Sequence, residues 1–139
     1  MIALPPDISI STNKERLDVS MIHTFLKQSY WAKGRTIETV EASIKNSFCF
    51  GVYHENQQIG FARVVSDCAI FAYIMDVFIL ESYRGQGLGL SLVNAILQDP
   101  QLNKVKKWML GTQDAHALYQ KVGFKPLESP EIFMTYIPS

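Results

Sequence analysis

The sequence has little of what marks most specialised chains. Two cysteines, Cys49 and Cys68, occur in 139 residues. That is too few for a disulfide framework and fits two free thiols in a reducing cytosol. Charge of neither sign dominates: 13 Lys and Arg balance 13 Asp and Glu, with no basic or acidic block. Nothing therefore points to a nucleic-acid or membrane-surface partner. Long apolar runs are absent too. The longest, AIFAYIM, stops at Asp76, far short of the roughly 20 residues that span a bilayer. The first residues, MIALPPDISIS, lack a basic segment ahead of an apolar core and do not read as a secretory signal. No repeat, low-complexity tract or linker divides the chain. What remains is a chain with 47% hydrophobic residues, read as a single domain over residues 1–139, long enough to bury a core and expected in the cytoplasm.

The patterning predicts a mixed α/β chain. DISISTN alternates and predicts a first strand. Leu17, Ile22, Phe25 and Leu26 lie near helical spacing, and Ile37, Val40 and Ile44 repeat it after the break YWAKGR. Thr36, followed by Glu38 and Thr39, suits a helix start. The period then falls to two. CFGVYHENQQIGFARVVSD predicts a hairpin turning at HENQQ, and AIFAYIMDVFIL a central strand covered on both faces. A helix over 88–98 follows, then a short strand in KKWMLGT. DAHALYQKV predicts a helix opened by Asp114 and closed by Gly123, and EIFMTYI a last strand. This order places helices against a central sheet.

Between the long strand and the helix at 88 stands ESYRGQGLGLSLV, with glycines at 85, 87 and 89. Glycine inside a helix costs roughly 1 kcal/mol relative to alanine, so three at a helix start need a reason. The first backbone N–H groups of a helix lack internal partners and, with the dipole, form an anion site. Glycines let a phosphate approach that backbone without meeting a Cβ, and Arg84 adds a guanidinium at the mouth. Two nucleotide-binding loops fail on residues. A P-loop needs Lys and Ser or Thr after its last glycine, where Leu90 and Ser91 stand; a dinucleotide fingerprint needs its third glycine at Leu90.

The stretch DVFILESYRGQGLGLSLV resembles the acetyl-CoA-binding motif of the GNAT superfamily of N-acetyltransferases: Arg or Gln, two residues, Gly, any residue, Gly or Ala. Arg84, Gly87 and Gly89 fill it. ALYQKVGF resembles the later helix of that superfamily, with Ala115, Leu118, Tyr119, Lys121, Gly123 and Phe124 in place. The two motifs, in order and with the flanking pattern, cover essentially the whole chain. The resemblance implies a small, single-domain, bacterial-type member of the α/β GNAT fold. Its mixed, mostly antiparallel sheet is splayed between strands at 71–80 and 106–112 and flanked by about four helices. It implies acetyl-CoA as co-substrate, its pyrophosphate on Arg84, Gly85, Gln86, Gly87, Leu88 and Gly89, and its pantetheine arm paired to backbone near Phe78 and Ile79. The acceptor is a primary amine, on a small molecule or exposed on a protein, attacked directly in a ternary complex. Homodimers are common among such proteins. One departure is Thr112, where many members carry Asn.

The same resemblance gives Tyr119 the role of protonating the departing thiolate. A core reading stands beside it, since Ala115, Leu118, Tyr119 and Val122 share one helical face. Asp76 is the only charge between Asp67 and Glu81. A buried carboxylate must be paired, solvated or protonated, so Asp76 is either a base toward the incoming ammonium or the ion-pair partner of Arg63. A backbone N–H near Phe78 is expected to serve the oxyanion. Tyr30 and Trp31, in the break between the first two helices, either roof the acceptor site and cradle a cationic amine or pack under the loop. His116 lies off the Tyr119 face and reads as solvated or capping. His23 and His54 read as surface positions, no third ligand suggests a metal, and Met75, Met109 and Met134 read as core. A non-catalytic acyl-CoA-binding regulatory module on the same fold is the rival function, and an unrelated phosphate-ligand enzyme a weaker third.

Overall fold

The computed structural model describes residues 4–138. Its elements run β1 (Ile8–Ser11), α1 (Val19–Leu26), α2 (Ile37–Lys45), β2 (Phe48–His54), β3 (Gln57–Ser66), β4 (Phe71–Ile79), α3 (Leu88–Gln98), β5 (Lys107–Met109) and α4 (His116–Gln120), with short 3-10 turns at Lys14–Arg16, Glu81–Tyr83 and Pro130–Ile132. The five strands form one sheet in chain order. The β1–β2, β2–β3 and β3–β4 pairs are antiparallel, and β4–β5 is parallel.

Alternation along the strands sends side chains to two cores, one per face. On one face α3 lays Leu88, Leu92 and Ile96 against Phe50, Val52, Ile59 and Ile74. On the other, α1 and α2 lay Ile22, Leu26, Val40 and Ile44 against Cys49, Phe61 and Phe78. The helix starts follow from local chemistry. Asp18 accepts the Met21 N–H and Thr36 accepts the Thr39 N–H, each satisfying a donor of the first turn. No helix among the described residues is long and apolar enough to cross a membrane.

Three local expectations are corrected. The hairpin turn is shorter than HENQQ, just Glu55 and Asn56, because Gln57 and Gln58 already pair with His54 and Tyr53. Asp114 does not cap α4; Thr112 Oγ1 accepts the N–H groups of Asp114 and Ala115 instead. Gly123 does close that helix, with φ of +103°. The last predicted strand is absent: EIFMTYI forms a 3-10 turn and then irregular chain, with Met134, Tyr136 and Ile137 exposed. The alternating pattern is real, but among the described residues the backbone bonds in the segment are local, Ile132 N–H to Ser129 and Phe133 N–H to Pro130. Period two without a sheet edge to pair with does not make a strand.

Candidate active site

The site begins with a failure of pairing. β4 and β5 are bonded over only three residues each, Phe71–Tyr73 with Lys107–Met109. From Ile74 to Ile79 the edge of β4 that faces β5 has no strand partner among the described residues. A bulge accompanies the opening. Arg63 pairs with Met75 and Phe61 with Phe78, so two steps on β3 oppose three on β4. The extra residue falls at Asp76, whose φ is +55°. That conformation is rare for a non-glycine residue and is tolerated by aspartate better than by most. The inserted residue flips the alternation. Ala72 and Ile74 face the α3 side before it, and Val77 and Ile79 after it. A strained strand residue beside an open edge is a common mark of a functional site.

Past the end of β4 the chain turns into α3 through the glycine stretch. Gly85 has φ of +83° and Gly87 of +78°, so both need the left-handed freedom of glycine. A Cβ on either would meet nothing within 4 Å; the space above the loop is open. Gly87 is the N-cap of α3 and offers no side chain to the first N–H groups, which leaves them facing outward. Gly89 differs, since a Cβ there would meet Leu118 at an ordinary 3.5 Å. Arg84 is tied back, its Nε donating to the Ile79 carbonyl at 2.9 Å, which locks the loop to the end of β4. A groove of about 810 Å³ runs from this loop along β4 to Tyr119. Of the eight residues expected to hold the cofactor, Phe78, Ile79, Arg84, Gly85, Gly87, Leu88 and Gly89 line it, and Gln86 is exposed alongside. Phe25 stacks on Phe78 at 3.9 Å and forms part of the wall.

A second cavity, of about 280 Å³, opens on the other side of Tyr119, between the splayed strands. Tyr30, Trp31, Val77, Asp114, Ala115 and Tyr119 line both spaces, so the two meet there. Tyr30 straps the junction: its hydroxyl accepts the Gln113 N–H at 3.1 Å, joining the α1–α2 connection to the β5–α4 connection.

Asp76 lines the second cavity, yet its side chain is only 1% exposed. Oδ2 accepts from Arg63 Nε at 2.9 Å and Arg35 Nη1 at 2.8 Å, and Oδ1 accepts from Trp31 Nε1 at 3.0 Å. The expected pairing with Arg63 is present, and Arg35 joins it. Arg63 is itself held by Ser47 Oγ at 3.0 Å. Sequence reasoning did not single out Arg35. Its only signal was its place in the break YWAKGR, and the contact spans 41 residues.

Tyr119 is buried, at 7% exposure, with its ring set T-shaped against Phe124 at 5.8 Å. It is a core side chain and a cavity-lining one at once. Burial, reinforced by Tyr30 and Asp114 nearby, pushes the phenol up to about 12. The histidines lie elsewhere. His116 is exposed, as expected. His23 and His54 are half-buried rather than on the surface, bonded to the Arg35 carbonyl at 3.1 Å and the Tyr83 hydroxyl at 2.7 Å. Among the described residues no group of three or more His, Cys, Asp or Glu is placed to hold a metal.

Known proteins share this fold. The family model described as an acetyltransferase (GNAT) domain matches residues 45–126, more than half of the chain. The crystal structure of a GNAT-family protein of Xanthomonas campestris is 40% identical, covers 96% of this chain and 95% of its own, and superposes with a TM-score of 0.90. A protein of Gibberella zeae provisionally named an acetyltransferase is 27% identical over 143 residues, 86% of this chain and 80% of its own. A protein of Clostridium acetobutylicum crystallised with acetyl-CoA shares the fold at a TM-score of 0.70 and 14% identity, over 94% of this chain and 96% of its own. With a family model over more than half of its length and a 40%-identical relative covering 96% of it, the chain belongs to the GNAT family of acetyltransferases.

Proposed function

We propose that this acetyltransferase moves the acetyl group of acetyl-CoA to a primary amine by direct attack, with both substrates bound together in one cytoplasmic domain. The observation that carries the reading is the meeting of two cavities at Tyr119, one leading to the glycine loop at the head of α3 and the other lined by Arg35 and Asp76. Neither Cys49 nor Cys68 lines either space, which favours direct attack over a thiol relay.

The residues divide the work as follows. The outward N–H groups at the start of α3 and the dipole behind them hold the pyrophosphate, and the open edge of β4 near Phe78 and Ile79 takes the pantetheine arm. Acetyl-CoA, when bound, supplies an activated acyl carbon. Beyond the bulge, the open edge of β4 near Phe78 offers a backbone N–H, that of Val77, to receive the carbonyl oxygen as it gains charge. Tyr119 donates a hydrogen bond to the departing sulfur. Its phenol at about 12 against a thiol near 8.5 makes complete proton transfer alone unfavourable by on the order of 5 kcal/mol. Tyr119 therefore passes its proton only as it regains one from the acylated nitrogen, and it stays neutral throughout the physiological range. Asp76, with three donors on its carboxylate, is better supported as a positioning residue than as the base. The ammonium then loses its proton to water in the open cavity, and the acidic limb of the rate follows the acceptor itself.

Thiol release from acetyl-CoA, measured across polyamines, amino acids, aminoglycosides and peptides, tests the reading. Turnover with at least one amine is expected. Tight coenzyme A binding without turnover of any amine would leave a binding module in its place.

A further inference from the structure

We infer that the acceptor is a small aminocarboxylate, an amino acid or close analogue, whose carboxylate is taken by Arg35. This rests on the acetyl-transfer reading above and deepens it.

The cavity beside Tyr119 is positive at its inner end. Two guanidinium groups, Arg35 and Arg63, share the single carboxylate of Asp76, both on Oδ2, so one positive charge is left over. That excess belongs to Arg35. The Arg63 side chain is 8% exposed, does not line the cavity, and spends its nitrogens on Asp76, Ser47 and the Met75 sulfur. The Arg35 side chain is 18% exposed and lines the cavity. Among the described residues only its Nη1 is engaged, which leaves the Nε–Nη2 edge, the planar fork that matches a carboxylate with two parallel hydrogen bonds. The fork is pre-set: Asp76 holds the guanidinium, and His23 bonds the Arg35 carbonyl at 3.1 Å.

The outer end has the opposite character. Asp114 lines the junction with the cofactor groove beside Tyr119, close enough to raise its pKa. The attacking nitrogen must lie at this junction to reach the acyl carbon. A molecule with an ammonium at one end and a carboxylate at the other matches both. A polyamine would place a second cation against Arg35, with Asp76 already committed. A volume of about 280 Å³ lies at the small end for ligand sites and favours a free small molecule over a peptide.

The test pairs each common amino acid with its decarboxylated amine, and with its aminophosphonate analogue, in two assays. One is thiol release with acetyl-CoA; the other is thermal stabilisation in the presence of coenzyme A, which needs no turnover. At least one amino acid is expected to exceed its decarboxylated partner by about 10²-fold in kcat/KM, and to stabilise the protein where that amine does not. Arg35→Gln should collapse the preference to within a few-fold, and Arg35→Lys should restore part of it. Retained coenzyme A affinity certifies that both variants are folded. Turnover of amines that ignores the carboxylate would overturn this inference and leave acetyl transfer intact. Selective stabilisation by amino acids without turnover would keep the site and overturn the catalytic reading. Stabilisation and turnover by no amino acid overturns the inference, as does a preference that survives Arg35→Gln. A preference for the aminophosphonate identifies a phosphonate or phosphate ester as the anion and overturns the carboxylate assignment.

Discussion

In the groove, the groups proposed to recognise the ligand are backbone: the N–H donors at the head of α3, set by left-handed glycines at 85 and 87, and the open edge of β4. In the neighbouring cavity they are side chains drawn from distant places, with Trp31 and Arg35 from the α1–α2 connection, Asp76 from the bulge in β4 and Arg63 behind it. The groove tolerates little change because geometry alone makes it. The cavity is a charge network, in which each member can be exchanged at a cost set by the partners it leaves behind.

Gly87→Glu should have the largest effect and break the groove alone. It puts a Cβ and a negative charge where the pyrophosphate is read to lie, at a φ of +78° that glutamate adopts poorly. Acetyl-CoA affinity should fall by about 10³-fold or more, since a like charge replaces a cradle for an anion. Calorimetry on protein with an unchanged circular dichroism spectrum checks this. Wild-type affinity in the folded variant would remove the loop from cofactor binding.

Asp76→Asn should break the cavity and spare the groove. Asparagine accepts the positive φ of this position, so the change isolates the charge. Two guanidinium groups lose their counterion in a buried site, and removing one partner of such a pair costs about 3 kcal/mol or more. Urea unfolding should show that loss, and Arg63→Leu should be comparable and non-additive with it. Calorimetric affinity for coenzyme A should stay near wild type. Undiminished stability combined with a displaced acidic limb of the rate–pH profile would reinstate Asp76 as the base.

The same contrast decides what was legible in the sequence. The glycine loop could be read because a helix start that needs left-handed residues and no side-chain cap must be written locally, in consecutive letters. α3 lies at 88–98 as the pattern predicts. The anomaly of Asp76 was also visible as a lone charge in an apolar strand, and Arg63, the one partner weighed for it, is there. Arg35 was not, because nothing local ties it to a residue 41 positions away. EIFMTYI carried the opposite error: its alternation is a local signal for a strand, but strand formation also needs an edge to pair with. The strap formed by Tyr30 uses a hydrogen bond across 83 residues, again beyond any local pattern.

Tyr119→Phe probes the residue that both spaces share. It deletes one oxygen and keeps the ring that packs on Phe124. If the hydroxyl assists the departing sulfur, turnover should fall by about 10²-fold, the scale of general acid help. Affinity for acetyl-CoA and for the acceptor should change little, since the bond matters in the transition state. Saturation kinetics with a true acceptor separate the two. Unaltered turnover would make Tyr119 a core residue only and transfer the proton to water.

The smallest expected effect is on stability at high pH, and it tests the burial that sets this tyrosine apart. The folded phenol sits at about 12, against an ordinary value of 10, mainly because it is buried. Between those values the unfolded chain has released its proton and the folded one has not. Stability from burying the neutral ring is therefore complete below about pH 10 and is lost as pH rises toward 12. At pH 10.5 the loss amounts to a little under about 1 kcal/mol for this group. Cys49, pushed up from 9.0 to about 11 by its own burial, adds a decline that starts near pH 9. The difference between wild type and Tyr119→Phe isolates the phenol. Urea unfolding at pH 7 and pH 10.5 should show a smaller drop for Tyr119→Phe than for wild type. Equal drops would mean that the hydroxyl reaches solvent freely in the folded protein. It would then lack the desolvation that lifts its pKa above the ordinary value.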